Sequence, residues 1–202
     1  MKEYYLEDLL RGKEEEQRRI ARKAPFALGG KKRVHLLGLG DVGGMLLTGL
    51  RLLGGDVISE IGIWSPGAEV NRYEHELNQI AYPSEEYLLP EVDIIGKEEL
   101  FQCDAFVFCA SKAVPSLDSG ITDVRMAQFE ANREIVGEYA KLARASGFQG
   151  IFAVVSDPVD PLCRAAYRAS NTNEEGVFDG EGLNPSQVQG YGLGVMNSRA
   201  AY

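Results

Sequence analysis

Two histidines and three cysteines are all that this 202-residue sequence holds of the usual metal-binding and redox side chains. Cys103, Cys109 and Cys163 are odd in number, lack metal-type spacing and lie in or beside apolar segments, which points to buried reduced thiols and not a disulfide framework. With only His35 and His75 to join them, no zinc site is expected. Long apolar runs are missing too: nothing approaches the roughly 20 residues that span a bilayer. The acidic start MKEYYLEDLL lacks the basic and apolar regions of a signal peptide, so a cytoplasmic protein without membrane contact is the expectation. Basic excess is the last absence. A net charge of -9 leaves no surplus of cations for a phosphate backbone and argues against nucleic-acid binding. A small anionic ligand stays open, because it needs only local donors.

What is present is a core. With 45% hydrophobic residues, a chain of this length builds one ordinary domain. Residues 1–31 read as a charged helical extension, with Tyr5, Leu9 and Leu10 near one face and KEEEQRR as a solvated run, ended by Pro25, Gly29 and Gly30. Packing on the domain or on a neighbouring subunit is its expected role.

From residue 32 to 202 the hydrophobic period alternates between strand and helix. RVHLLGL, EIGIW, VDIIG, DAFVFCA and IFAVVS read as strands. DVGGMLLTGLRLL, AEVNRYEHELNQIAY, DVRMAQFEANREIVGEYAKLARASG (closed by Gly147) and PVDPLCRAAYRAS read as helices. The polar stretch Ser111–Thr122 and the Gly- and Asn-rich segment after Asn171 read as loops, SQVQGYG as one more strand, and GVMNSRAAY as the start of a helix. Strands separated by helices imply right-handed crossovers, hence an α/β, doubly wound parallel sheet with helices on both faces.

The chemistry-bearing motif sits at the first strand–helix junction. Gly38, Gly40 and Gly43 form G-x-G-x-x-G, with Asp41 and Val42 opening the helix between the last two. Gly38 permits a tight turn, Gly40 lets a pyrophosphate approach the backbone, and Gly43 lets helix and strand pack closely. The helix N-terminus adds unpaired N–H groups and the positive end of its dipole. A small-molecule dinucleotide, NAD or NADP, is the implied cofactor. A bare structural turn is the competing explanation.

The partner of such a motif is an acid ending the second strand, where it bonds the ribose hydroxyls. Here EIGIW is followed by Ser65, Pro66 and Gly67, and the acid is missing. Ser65 suits either a hydroxyl or a 2'-phosphate, and Arg72 is a candidate counter-charge, so NAD and NADP both stay open.

Taken together, GLGDVGG, CDAFVFCAS, ANREIVGEYAKLARASG and above all IFAVVSDPVDPLC resemble the lactate/malate dehydrogenase family, from about Arg33 to the C-terminus. The resemblance implies a Rossmann fold and hydride transfer between a nicotinamide and a 2-hydroxy acid. It implies a turn at Ala110 and Ser111 against the nicotinamide, with Asn132 and Val155 on the cofactor side. Arg125 matches the mobile-loop arginine that polarises the carbonyl, and Arg199 the arginine that binds the substrate carboxylate. Association with further copies of the chain is implied by the same likeness.

Several matched positions depart from the family. Asp157 stands where asparagine is usual in the Asn-Pro-Val-Asp turn, and an ionised carboxylate there cannot donate a hydrogen bond to an anionic substrate. Met196 stands where an aspartate orients the catalytic histidine, which a thioether cannot do. The sequence stops before the region of that histidine, and neither His35, in a strand, nor His75, on a helix, is placed to replace it; on its own this chain is not expected to catalyse the reaction. Asp157 and Asp160 also suit a simpler role as caps of the helix after Pro158, and Arg125 that of a solvated charge. Two functions fit: the dinucleotide-binding half of a divergent dehydrogenase, or a non-catalytic dinucleotide-binding or subunit-interaction protein derived from one.

Overall fold

The computed structural model describes residues 30–81, 88–112, 123–192 and 200–201. The expected N-terminal helix, most of the Ser111–Thr122 loop, and both Met196 and Arg199 lie outside the described residues.

Six strands and four α-helices follow one another along the described chain, alternating except where the third strand leads to the fourth through a short 3-10 turn at Lys97–Glu99. They are β1 (Lys32–Leu37), α1 (Asp41–Leu53), β2 (Ile58–Trp64), α2 (Glu69–Asn78), β3 (Glu91–Ile94), β4 (Ala105–Phe108), α3 (Val124–Ala145), β5 (Ile151–Val154), α4 (Val159–Ser170) and β6 (Val188–Gly190). The strands form one sheet in the order β3-β2-β1-β4-β5-β6, and every pairing is parallel. The expected doubly wound α/β sheet is therefore present, with SQVQGYG supplying β6. Its order reverses between β1 and β4, so the C-terminal ends of those two strands flank the crevice where ligands of open α/β sheets bind.

Strand alternation sends side chains to two different cores. On one face Phe106, Phe108 and Phe152 are fully buried and pack with Tyr139, Val136 and Ala140 of α3 and Leu162 and Ala166 of α4. Their rings meet in tilted pairs such as Phe106–Phe152, with centroids 5.0 Å apart. Each such ring contributes about 2 kcal/mol through burial alone. On the other face Leu36, Ile61, Ile63, Val92 and Val107 pack with Leu47 of α1 and Val70 and Leu77 of α2, an aliphatic core without phenylalanine. No described helix is long and apolar enough to cross a membrane.

Local signals end the elements where the sequence places them. Gly147 takes φ +65° after α3, its N–H donates to the Arg144 carbonyl at 3.0 Å, and the Phe148 N–H donates to the Ala143 carbonyl at 2.9 Å. This is a Schellman closure, and Phe148 is buried beyond it. Asp123 caps the other end of α3, accepting from the Met126 N–H at 2.9 Å. The loop between α4 and β6 is held by two buried amides: Asn171 accepts from the Gly182 N–H at 2.9 Å, and Gln187 donates to the Gly150 carbonyl at 2.9 Å.

His35 and the cysteines lie in this packing, Cys109 buried and Cys103 and Cys163 partly so, whereas His75 is exposed on α2 beside Gln79. His35 is buried on β1 with Nδ1 3.1 Å from the Leu100 carbonyl, and its ring lies against Gly62, where a Cβ would come within 2.6 Å of it. Burial lowers its pKa. All three cysteines are free, and desolvation pushes Cys103 and Cys109 up to about 12 and Cys163 to about 11, leaving them as protonated thiols at neutral pH.

Candidate functional site

The glycine loop joins β1 to α1 at the C-terminal edge of the sheet. Gly38 has φ +91°, and a Cβ there would lie 2.7 Å from the Ala110 backbone, so both conformation and space demand glycine. A Cβ on Gly43 would overlap the Gly38 carbonyl oxygen and lie 3.2 Å from the Cys109 Cβ. Gly40 differs: a Cβ there would meet no atom within 4 Å. Two glycines hold the turn against its neighbours, and the third faces open space. No side chain caps α1, whose Ncap is Gly40 and whose first residues are Asp41 and Val42, both exposed. The N–H groups of this first turn are thus available to an anion.

The opposite wall comes from the ends of β4 and β5. The Cys109 N–H donates to the Leu37 carbonyl at 2.8 Å and the Val155 N–H to the Phe108 carbonyl at 2.9 Å, so the three strand ends are locked in register. The Ser156 hydroxyl donates to the Ala110 carbonyl, tying the two turns together just beyond the strands. Asn132, buried on α3, joins them from below. Its Oδ1 accepts from the Lys112 N–H at 2.8 Å, its Nδ2 donates to the Asp157 carbonyl at 3.0 Å, and the Ser111 hydroxyl lies 3.3 Å from Nδ2. Both ends of the amide are spent on backbone, which makes Asn132 a positioning residue for the two turns.

Asp157 precedes a cis peptide bond to Pro158 and is exposed. It does not cap α4: the Ncap position falls on Pro158 with no side-chain bond, while Asp160 lies in the first turn, where its charge complements the helix dipole. Arg125 is exposed in the first turn of α3, at the end of the stretch that lies outside the described residues. Gly38, Gly40, Asp41, Val42 and Gly43 are thus gathered with Ala110, Ser111, Asn132, Val155 and Asp157 along one edge of the sheet. No group of His, Cys, Asp and Glu among the described residues could hold a metal ion.

Ser65 lies on the same edge, because the Gly38 N–H donates to the carbonyl of Trp64, the residue before it, at 3.1 Å. Its hydroxyl donates to Glu69 Oε1. Glu69 opens α2 and escapes the sequence pattern, which looks for an acid directly after the strand; the only local signal is the Ser-x-x-x-Glu spacing. Arg72 pairs with Glu76 at 3.8 Å, and its guanidinium lies 4.8 Å from the centre of the Tyr73 ring. Tyr73 in turn abuts α1, where a Cβ on Gly44 would overlap its hydroxyl.

No family model matches the sequence, and no curated protein matches it. Solved structures do share the fold. A lactate dehydrogenase from a Medee basin deep-sea metagenome library is 22% identical with a TM-score of 0.62, over 84% of this chain and 48% of that one. A minor L-lactate dehydrogenase from Enterococcus mundtii, in ligand-bound form, is 24% identical with a TM-score of 0.62, over 81% of this chain and 46% of that one. A lactate dehydrogenase from Eimeria maxima with NADH and oxamate is 16% identical with a TM-score of 0.53, over 76% and 44% of the two chains. The chain thus has the Rossmann fold of lactate and malate dehydrogenases and spans about half the length of these structures.

Proposed function

We propose that this chain binds a nicotinamide dinucleotide, with the pyrophosphate at the N-terminus of α1 and the nicotinamide toward the Ala110–Ser111 and Asp157–Pro158 turns. One observation carries the proposal: within a single glycine loop, Gly38 and Gly43 are required by packing, whereas Gly40 is surrounded by open space at an uncapped helix start. A purely structural turn needs the first two glycines but not the third. The Eimeria maxima structure, with NADH bound in the same fold, supports the ligand class. When bound, the nicotinamide supplies hydride chemistry, and this chain's residues supply the cradle.

Titration of NADH and NADPH with thermal unfolding as readout tests the proposal. Ligand at about 100 times its dissociation constant adds about 2.7 kcal/mol of stability, and the absence of a shift with either dinucleotide rejects it.

In a complete enzyme the same architecture would serve hydride transfer with a 2-hydroxy or 2-oxo acid, with Arg125 polarising the carbonyl and Arg199 holding the carboxylate. A non-catalytic binding role is favoured by one specific feature, the exposed carboxylate of Asp157 where an amide would face an anionic substrate. Turnover assays with NADH and pyruvate or oxaloacetate separate the two roles. A binding protein gives a thermal shift with no oxidation of NADH.

A further inference from the structure

The residue after β2 is a serine, yet a carboxylate is present at that place in the fold. The turn Ser65–Ala68 folds back so that Glu69 reaches Ser65, whose hydroxyl donates to Oε1. The rest of the carboxylate lies over Gly67, where a Cβ would overlap it, so the glycine leaves the room that the acid occupies. The Ser65 hydroxyl foremost, then the Glu69 backbone N–H and the nearby Arg72, hold the Glu69 pKa below the usual carboxylate range, so the group is ionised at neutral pH. Trp64, the residue before Ser65, carries the carbonyl that accepts from the Gly38 N–H at 3.1 Å, so the serine that holds this anion directly follows the residue bonded to the glycine loop.

We propose that Glu69, oriented by Ser65, is the acid that recognises the adenosine ribose hydroxyls and makes the site selective for NAD over NADP; this rests on the dinucleotide-binding function proposed above. Vicinal hydroxyls can donate to a fixed carboxylate, and a bond to an ionised acceptor is among the stronger hydrogen bonds. A 2'-phosphate would bring like charge against it, which disfavours NADP by repulsion as well as by a lost bond. The candidate counter-charge, Arg72, is directed along α2 by Glu76 and lies over Tyr73.

Binding of NADH and NADPH is compared for the wild-type chain and the Glu69→Gln, Ser65→Ala and Arg72→Ala variants, with circular dichroism to confirm that each is folded. Wild type should prefer NADH by about tenfold or more, the worth of one charge-assisted hydrogen bond. Glu69→Gln should remove most of that preference, Ser65→Ala should reduce it in the same direction, and Arg72→Ala should leave the preference for NADH in place. If NADH binds and Glu69→Gln leaves the ratio unchanged, or if wild type prefers NADPH, the role of Glu69 is overturned while dinucleotide binding stands. If neither dinucleotide binds to wild type, both fall together.

Discussion

The Asn132 amide bridges two turns that come from different strands, donating to the Asp157 carbonyl at 3.0 Å and accepting from the Lys112 N–H at 2.8 Å. Asn132 is buried, so neither bond is readily replaced by water. In Asn132→Leu the backbone groups of Lys112 and Asp157 lose this partner, at a cost of about 2–3 kcal/mol. Urea unfolding should register that loss, and NADH affinity should fall further than stability alone explains, because the wall of the crevice loses its alignment. An unchanged unfolding midpoint would contradict the positioning role.

Gly38 and Gly40 should separate structure from binding. Gly38→Ala forces a side chain against the Ala110 backbone at a positive φ and should destabilise the fold by about 3 kcal/mol or more. Gly40→Ala meets no neighbour, and with alanine only a poorer Ncap the cost should stay below about 1 kcal/mol. NADH binding to Gly40→Ala should nevertheless weaken at least severalfold. If Gly40→Ala binds NADH as wild type does, the pyrophosphate does not approach the backbone there.

His35 makes stability depend on pH in a defined window. Its folded pKa lies below the ordinary value of 6.5, so the unfolded chain takes up the proton first. The contribution is complete above 6.5 and is lost as pH falls below it, until the folded pKa is passed. Melting temperature should therefore fall between pH 7.5 and 5, and His35→Gln should flatten that slope. Asp179 acts in a separate window: Arg144 holds it with two bonds, at 2.9 and 2.7 Å, and its pKa is lowered from 3.8 to about 2. Its contribution is present above 3.8 and lost as pH falls toward 2.

Arg51 is a buried cation whose partners are backbone carbonyls. Its Nε donates to Leu77 at 3.1 Å and its Nη1 to Pro90 at 2.7 Å, joining α1 to the end of α2 and the approach to β3. Arg51→Met keeps much of the apolar stem and removes both bonds, which should cost about 2–4 kcal/mol. Hydrogen exchange should rise first in β3, at the edge of the sheet, and a uniform rise across all strands would argue against this local tether.

The element order was legible in the sequence because each element announces itself within a few residues. The continuous apolar runs around Leu36, Phe106 and Phe152 read as buried strands, Gly147 closes α3, and the spacing of Gly38 and Gly43 marks a tight strand-to-helix turn. These are signals of local backbone geometry, readable from a few neighbouring residues. Tertiary structure decided the rest. Asn132 lies 20 residues from Lys112 and 25 from Asp157, and only the meeting of β4, β5 and α3 makes its amide a bridge. Glu69 lies four residues from Ser65, but that spacing alone does not fix the turn that returns its carboxylate to the Ser65 hydroxyl. Side-chain roles depend on which backbone groups and charges converge in space, and that convergence is a property of the packed sheet.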